Sequence, residues 1–237
     1  MFSSISLPAA VAQTYYQSPY DNFNVQIPEG WVIEDSTNAD TQSSLSSSSQ
    51  NETTLFDIVP LAKLCSEEDS YPGLNGTFRC LSNYVLISRF NNLHSVPEFK
   101  ALEQQNKSIT SVDLVPLSIE TITKGVTLGN STVEIVNIGA TNIIYTTVNV
   151  TNSQTNQTVQ TLPATHAEIR YNLTTPAFSK IFGEGITDHL KSFNLFVVTN
   201  DTNTGYAITT NDRNATELAP PEPIPQIMDS FGLIEEK

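Results

Sequence analysis

Basic residues are scarce in this chain. Eleven Lys and Arg stand against 25 Asp and Glu, a net charge of −14 over 237 residues. A surface of that sign repels phosphate backbones and anionic lipid, which excludes nucleic acid as a partner. A cationic partner is permitted. Only 15% of residues are charged, so Ser, Thr and Asn supply most of the solubility. Long apolar runs are also missing. No window approaches the roughly 20 consecutive apolar residues that a transmembrane helix needs. With two cysteines, Cys65 and Cys80, the chain is no disulfide-dense scaffold, and no Cys follows the N-terminal segment to carry a lipid.

Signatures of chemistry are equally thin. His94, His166 and His189 are the three histidines, and no two lie close enough for an HxH or HxxxH chelate. There is no G-x-S-x-G nucleophile elbow and no P-loop. Gly183-Glu184-Gly185 lacks the third glycine and the helix of a dinucleotide turn. Carboxylates are plentiful, but nothing in their spacing selects an acid–base pair. Glu67-Glu68-Asp69 reads as a solvated charge run. Asn200-Asp201-Thr202-Asn203-Thr204-Gly205 echoes the start of a calcium loop without its bidentate Glu, and a hairpin turn explains the same residues. The sequence names no catalytic residue, metal ligand or cofactor.

What is abundant is the glycosylation acceptor. Asn-X-Ser/Thr begins at Asn51, Asn75, Asn106, Asn130, Asn149, Asn156, Asn172, Asn200 and Asn214, never with Pro in the middle. Composition alone, 21 Asn with 28 Thr and 24 Ser, gives about five by chance, so the nine occurrences point to N-glycosylation outside the cytoplasm. The N-terminus agrees. Residues 1–12, MFSSISLPAAVA, are apolar and small and end in Ala10-Val11-Ala12, a cleavage pattern that predicts a mature chain from Gln13. In such a compartment Cys65 and Cys80 are expected to form one disulfide, closing a loop with Pro-Gly and Asn-Gly turn signals.

The remainder reads as one domain, 13–237, with polar insertions at 36–54 and 151–161 and a third polar tract at 211–225. Phe23, Val25 and Ile27 alternate with polar residues as a strand. Pro28-Glu29-Gly30 then breaks it and Trp31-Val32-Ile33 begins a hairpin partner. Further strands are predicted at 55–61, 81–90 and 164–173, two more over 133–150 parted near Gly139, and a hairpin of 193–199 with 205–210. Ser95-Val96-Pro97-Glu98 has the form of a capping box for a helix to about Asn106. Ile224, Ile227, Met228 and Phe231 share one helical face, with Pro225 in the first turn and Gly232 as the stop.

The opening block from Tyr20 to Trp31, YDNFNVQIPEGW, and the closing block Pro225-Gln226-Ile227-Met228-Asp229-Ser230-Phe231 after a hairpin with Gly205-Tyr206 resemble the PsbP-like superfamily. The resemblance nominally spans Tyr20 to Glu235, with motifs at the two ends only. It implies an α+β fold, an antiparallel β-sheet with helices packed on it as an α/β/α sandwich, carrying long polar loop insertions. It also assigns Trp31, Ile227, Met228 and Phe231 to structure, and implies a non-catalytic binding or assembly module, the sequon load resembling archaeal cell-surface versions. The functional expectation is therefore an exported glycoprotein that binds an unknown protein partner at the cell surface, or a small ligand, without catalysis. A structural surface-coat glycoprotein is one alternative. A metal-assisted hydrolase with histidines and carboxylates converged in space is another.

Overall fold

The computed structural model describes residues 14–19, 21–35, 57–72, 78–80, 84–129, 134–174, 187–212 and 222–235. Residues 1–12, expected as a cleaved leader, the whole Ser-rich tract 36–54 and the sequons Asn51, Asn75, Asn130 and Asn214 lie outside the described residues.

Segments rich in β-branched and aromatic residues become strands because their side chains fit a pleated, half-buried surface. In chain order these are β1 (Thr14–Gln17), β2 (Phe23–Ile27), β3 (Trp31–Asp35), β4 (Asp57–Ser66), β5 (Ser70–Pro72), β6 (Phe78–Cys80) and β7 (Val85–Asn91). Next along the chain are β8 (Glu134–Thr151), β9 (Thr158–Thr174), β10 (Thr187–Val198), β11 (Gly205–Asp212) and β12 (Gly232–Ile234). Among the described residues three α-helices interrupt them: α1 (Pro97–Gln104), α2 (Leu114–Gly129) and α3 (Ile224–Ser230). Ten strands form one sheet in the order β1-β2-β12-β8-β9-β10-β11-β7-β4-β3, and β5 and β6 make a separate two-stranded ribbon.

The sheet curls on itself. β2 and β3 stand second and last in that order, yet only Pro28-Glu29-Gly30 separates them along the chain. Each strand's right-handed twist, summed over ten strands, brings the two ends round. Inside the curl one apolar cluster gathers Phe23, Val25, Leu64, Ile87, Leu195 and Ile208 from strands far apart in the sheet order. Helix α3 plugs it: Ile227 and Met228 are buried, and Phe231 lies between the rings of Phe23 and Tyr206 at 6.0 and 6.1 Å. Arg89 of β7 donates to Asp21, just ahead of β2, at 2.7 Å across the curl. On the outer face α1 and α2 cover a second cluster that includes Phe90, Phe99, Leu114, Ile169 and Phe196.

This overturns the α+β expectation of an antiparallel sheet with helices packed on it. The chain is mostly strand, the sheet is mixed because β12 runs parallel to β8, and its inner face is closed chiefly by the sheet's own curl. The physical reason is strand length. β8 and β9, 18 and 17 residues, wrap around the core where a shorter sheet would need a helical layer.

Several local expectations are also corrected. The opening hairpin does not form: β2 pairs with β1 and β12, β3 with β4, and the Pro28–Gly30 turn is a corner of the curl. Where two strands were expected over 133–150, the described residues from 134 on lie in one strand, with Gly139 paired inside it and the break displaced to a bulge between Thr141 and Ile144, where Asn142 has φ 51°. Gly232 does not stop α3 as a free cap. It starts β12, where a Cβ would come within 2.6 Å of Asn24 Oδ1. Helix α1 forms with Val96 as its N-cap and without the Ser95 box. Helix α2 has no counterpart among the expected elements; a genuine capping box between Thr110 and Asp113 leads into it. The 193–199/205–210 hairpin forms as β10 and β11. Of the polar tract 151–161, residues 152–157 make the β8–β9 turn and Thr158–Thr161 already belong to β9.

Candidate functional site

The bulge in β8 shapes a groove. Two residues, Asn142 and Ile143, are inserted where β9 has one, Ala167, so the register shifts and the chain kinks outward. Against that kink sits the N-terminal half of α3. A groove of about 570 Å³ opens between them, walled by Ile143, Ile144, Phe193, Pro225 and Met228, with Asn142, His166, Glu168, Asn194 and Asp229 as its polar side chains. Beside it β8 exposes three consecutive large apolar residues, Ile143, Ile144 and Tyr145, at 44, 61 and 75%. Such a patch next to a concave surface is unusual for a free monomer surface.

Its electrostatics are built on β9 and β10. Glu168 is buried, and burial pushes its carboxyl pKa up. Hydrogen bonds from Arg170 and from Asn142 (Nδ2 to Oε2, 3.1 Å), with the charges of Arg170 and Lys191, outweigh that and leave it below the ordinary value. Lys191, fully buried one strand over, stands with its ammonium 4.6 Å from the centre of the Phe193 ring. His166 is half-buried; desolvation lowers its pKa, and the Asp229 carboxylate at 3.8 Å opposes that without reversing it. That distance is too long for a hydrogen bond. The groove therefore offers an apolar slot with one carboxylate at its base and a second, mostly exposed, at its rim.

The sequence-singled residues do not converge there. His166 alone reaches the groove. His94 contacts Glu103 through Nδ1 and approaches the Asp201 carbonyl and Thr202 hydroxyl through Nε2 at 3.2 Å, latching the β10–β11 turn. His189 lies in β10 opposite Asn172, and its side chain is outside those described. Among the described residues no three His, Cys, Asp or Glu side chains are placed to hold a metal. Asp201 turns its carboxylate to the Asn203 and Thr204 amides, so the calcium-like loop is an Asx-type hairpin turn. Glu67–Asp69 form a 3₁₀ turn whose start is capped by Ser66. Cys65 and Cys80 are joined as a disulfide that ties β4 to the β5–β6 ribbon. Of the described acceptors, Asn106, Asn149, Asn156 and Asn200 are exposed and Asn172 is half-buried. A smaller cavity of about 300 Å³ borders Asn200 and Asp201 at the other end of the curl.

Glu168, Lys191 and the bulge residues do not stand out in the sequence. One signal was available: Ile143-Ile144-Tyr145 breaks the alternation of β8, so at least one large apolar side chain must face outward.

No protein-family profile matches the chain, and no curated protein matches it. Among solved structures, the solution structure of cyanobacterial PsbP (CyanoP) from Synechocystis sp. PCC 6803 is similar over 98% of both chains, at 10% identity and a TM-score of 0.44. A likeness at that level decides neither fold nor function. No helix among the described residues is long and apolar enough to cross a membrane.

Proposed function

We propose that this protein is an exported, N-glycosylated recognition module without catalysis of its own, whose groove between the β8 bulge and α3 receives a basic side chain of a partner protein. The observation that carries this is the make-up of the groove. Phe193, Met228 and Ile143 suit the methylene stem of a Lys or Arg, while the largely exposed Asp229 carboxylate at the rim suits its charged head. The chain's net charge of −14 attracts such a partner from a distance. Among the described residues the lining includes no hydroxyl, thiol or amine for a base to activate, which favours recognition over a covalent reaction. Export is supported by the sequons, the small-residue leader and the disulfide.

Two measurements test it. Intact mass of protein from its source, before and after glycan removal, is expected to exceed the chain by several glycans; a bare chain mass removes the glycoprotein part. For the groove, proteins retained by wild type and by Asp229→Lys are compared at low and high salt. A partner held by wild type, released by salt and lost in Asp229→Lys supports the reading. Equal retention by the variant overturns it.

A further inference from the structure

We infer that two copies of this chain join through the outer edge of β8 at Ile144–Thr147, continuing the sheet across a two-fold axis. Along one side β8 is paired with β9 for its whole length. Along the other, among the described residues, only Asn149–Thr151 are paired, with β12. Nearer its start, Ile135, Ile138 and Ala140 pack against the outer cluster that holds α2. Between these lies a stretch whose backbone has no strand beside it among the described residues, carrying the two most exposed large apolar side chains described, Tyr145 and Ile144.

The pattern of β9 tells which groups face out. Pro163 lies opposite Thr147 and has no N–H to give, so this is the kind of antiparallel pair that exchanges no hydrogen bonds. By alternation Thr147 and Tyr145 turn their N–H and C=O groups away from β9. In an antiparallel pairing centred on Thr146, Tyr145 of one copy faces Thr147 of the other, and the two pairs exchange four hydrogen bonds. The bulge at Asn142 ends the match on one side and β12 on the other, which keeps the join short.

Charge favours a second copy over a basic partner at this edge. From Ile135 to Thr151 there is no Asp, Glu, Lys or Arg, in a chain of net −14. Two acidic molecules can meet there without placing like charges opposite one another, and a cationic strand gains nothing. Open edges ordinarily carry Lys or Pro to prevent this pairing, and this stretch has neither. No sequon falls within Ile144–Thr147, but exposed Asn149 stands two residues beyond Thr147, so the join needs that side chain free of glycan or turned away from the edge.

The test is sedimentation equilibrium of the glycosylated protein, with a dimer expected at a dissociation constant on the order of 10 μM. Tyr145→Lys and Thr147→Lys alter exposed side chains outside the groove, so they should leave the melting temperature unchanged and weaken the dimer at least about tenfold. Asp229→Lys, which tests the groove, should leave the dimer intact. Thr146→Cys, on the axis, should cross-link to itself under mild oxidation, whereas Val159→Cys on an exposed part of β9 should not. A monomer at about 100 μM, well above that constant, overturns the inference. So does a dimer indifferent to both lysines, or an edge whose lysine variants instead lose a different protein.

Discussion

His166 and Glu168 are two residues apart on one strand, and their environments push both pKa values down for opposite reasons. For His166 the loss of solvent dominates and disfavours the imidazolium. A His whose folded pKa is depressed contributes stability that is complete above its unfolded value of about 6.5 and is lost as pH falls from there toward the folded value. His166→Gln is therefore expected to flatten the fall in melting temperature between about pH 6.5 and 5. Asp229→Asn should lower the His166 pKa further, read from its ring protons by NMR. A rise on that substitution would contradict the assigned causes. Glu168 behaves as a paired carboxylate. Its stabilisation is present above its unfolded value and disappears only as pH drops through the lower folded one. Glu168→Gln leaves buried Lys191 without that counter-charge, and a loss of about 2–3 kcal/mol is expected by denaturant unfolding at neutral pH. An unchanged midpoint would show that the other contacts of Lys191 suffice.

At the scale of elements, the junction of β2, β12 and β8 is closely packed. Gly232 sits between Asn24 and Asn149, and buried Asn24 is held by its amide bond to Thr151 Oγ1 at 3.1 Å. A methyl group there forces Asn24 aside, so Gly232→Ala should cost about 1–3 kcal/mol in thermal or urea unfolding. If it stabilises instead, the close approach is wrong. The disulfide staples a different element. Reduction of Cys65–Cys80 frees the ribbon of β5 and β6, and the chain-entropy value for a loop of 15 residues is about 3 kcal/mol. A melting temperature lower by several degrees in reductant is expected, with the ten-stranded sheet otherwise retained. The Cys65–Cys80 disulfide was legible in the sequence; the glycine stood out, but its structural role did not. Gly232 read as a helix stop because residues 224–231 are helical in pattern. Gly232–Ile234 form a strand because the folded sheet offers β8 as a partner, and nothing local in the sequence signals that partner.

The whole molecule carries −14 around a curled sheet, and that self-repulsion opposes the closed form. Raising salt from about 0.05 to 0.5 M should raise the melting temperature by a few degrees through screening. A fall would mean that ion pairs such as Arg89–Asp21, which bridges the curl, outweigh the general repulsion. Curling also explains how the groove arises. α3 enters the concave side, β8 kinks at Asn142, and the gap between them is a property of closure that no single segment contains.

The sequence by itself determined β2, β3, β7 and parts of β4 and β9, the β10–β11 hairpin, the apolar stripe of α3 and the acidic, sequon-bearing surface. Each rests on local periodicity or composition. Only the tertiary structure decided that β2 and β3 part company, that β12 inserts parallel to β8, that helix α2 forms from a Thr- and Ile-rich segment, and that Glu168 and Lys191 are buried together. These depend on contacts between residues far apart in the chain, where twist summed over ten strands and burial against distant neighbours override local preference.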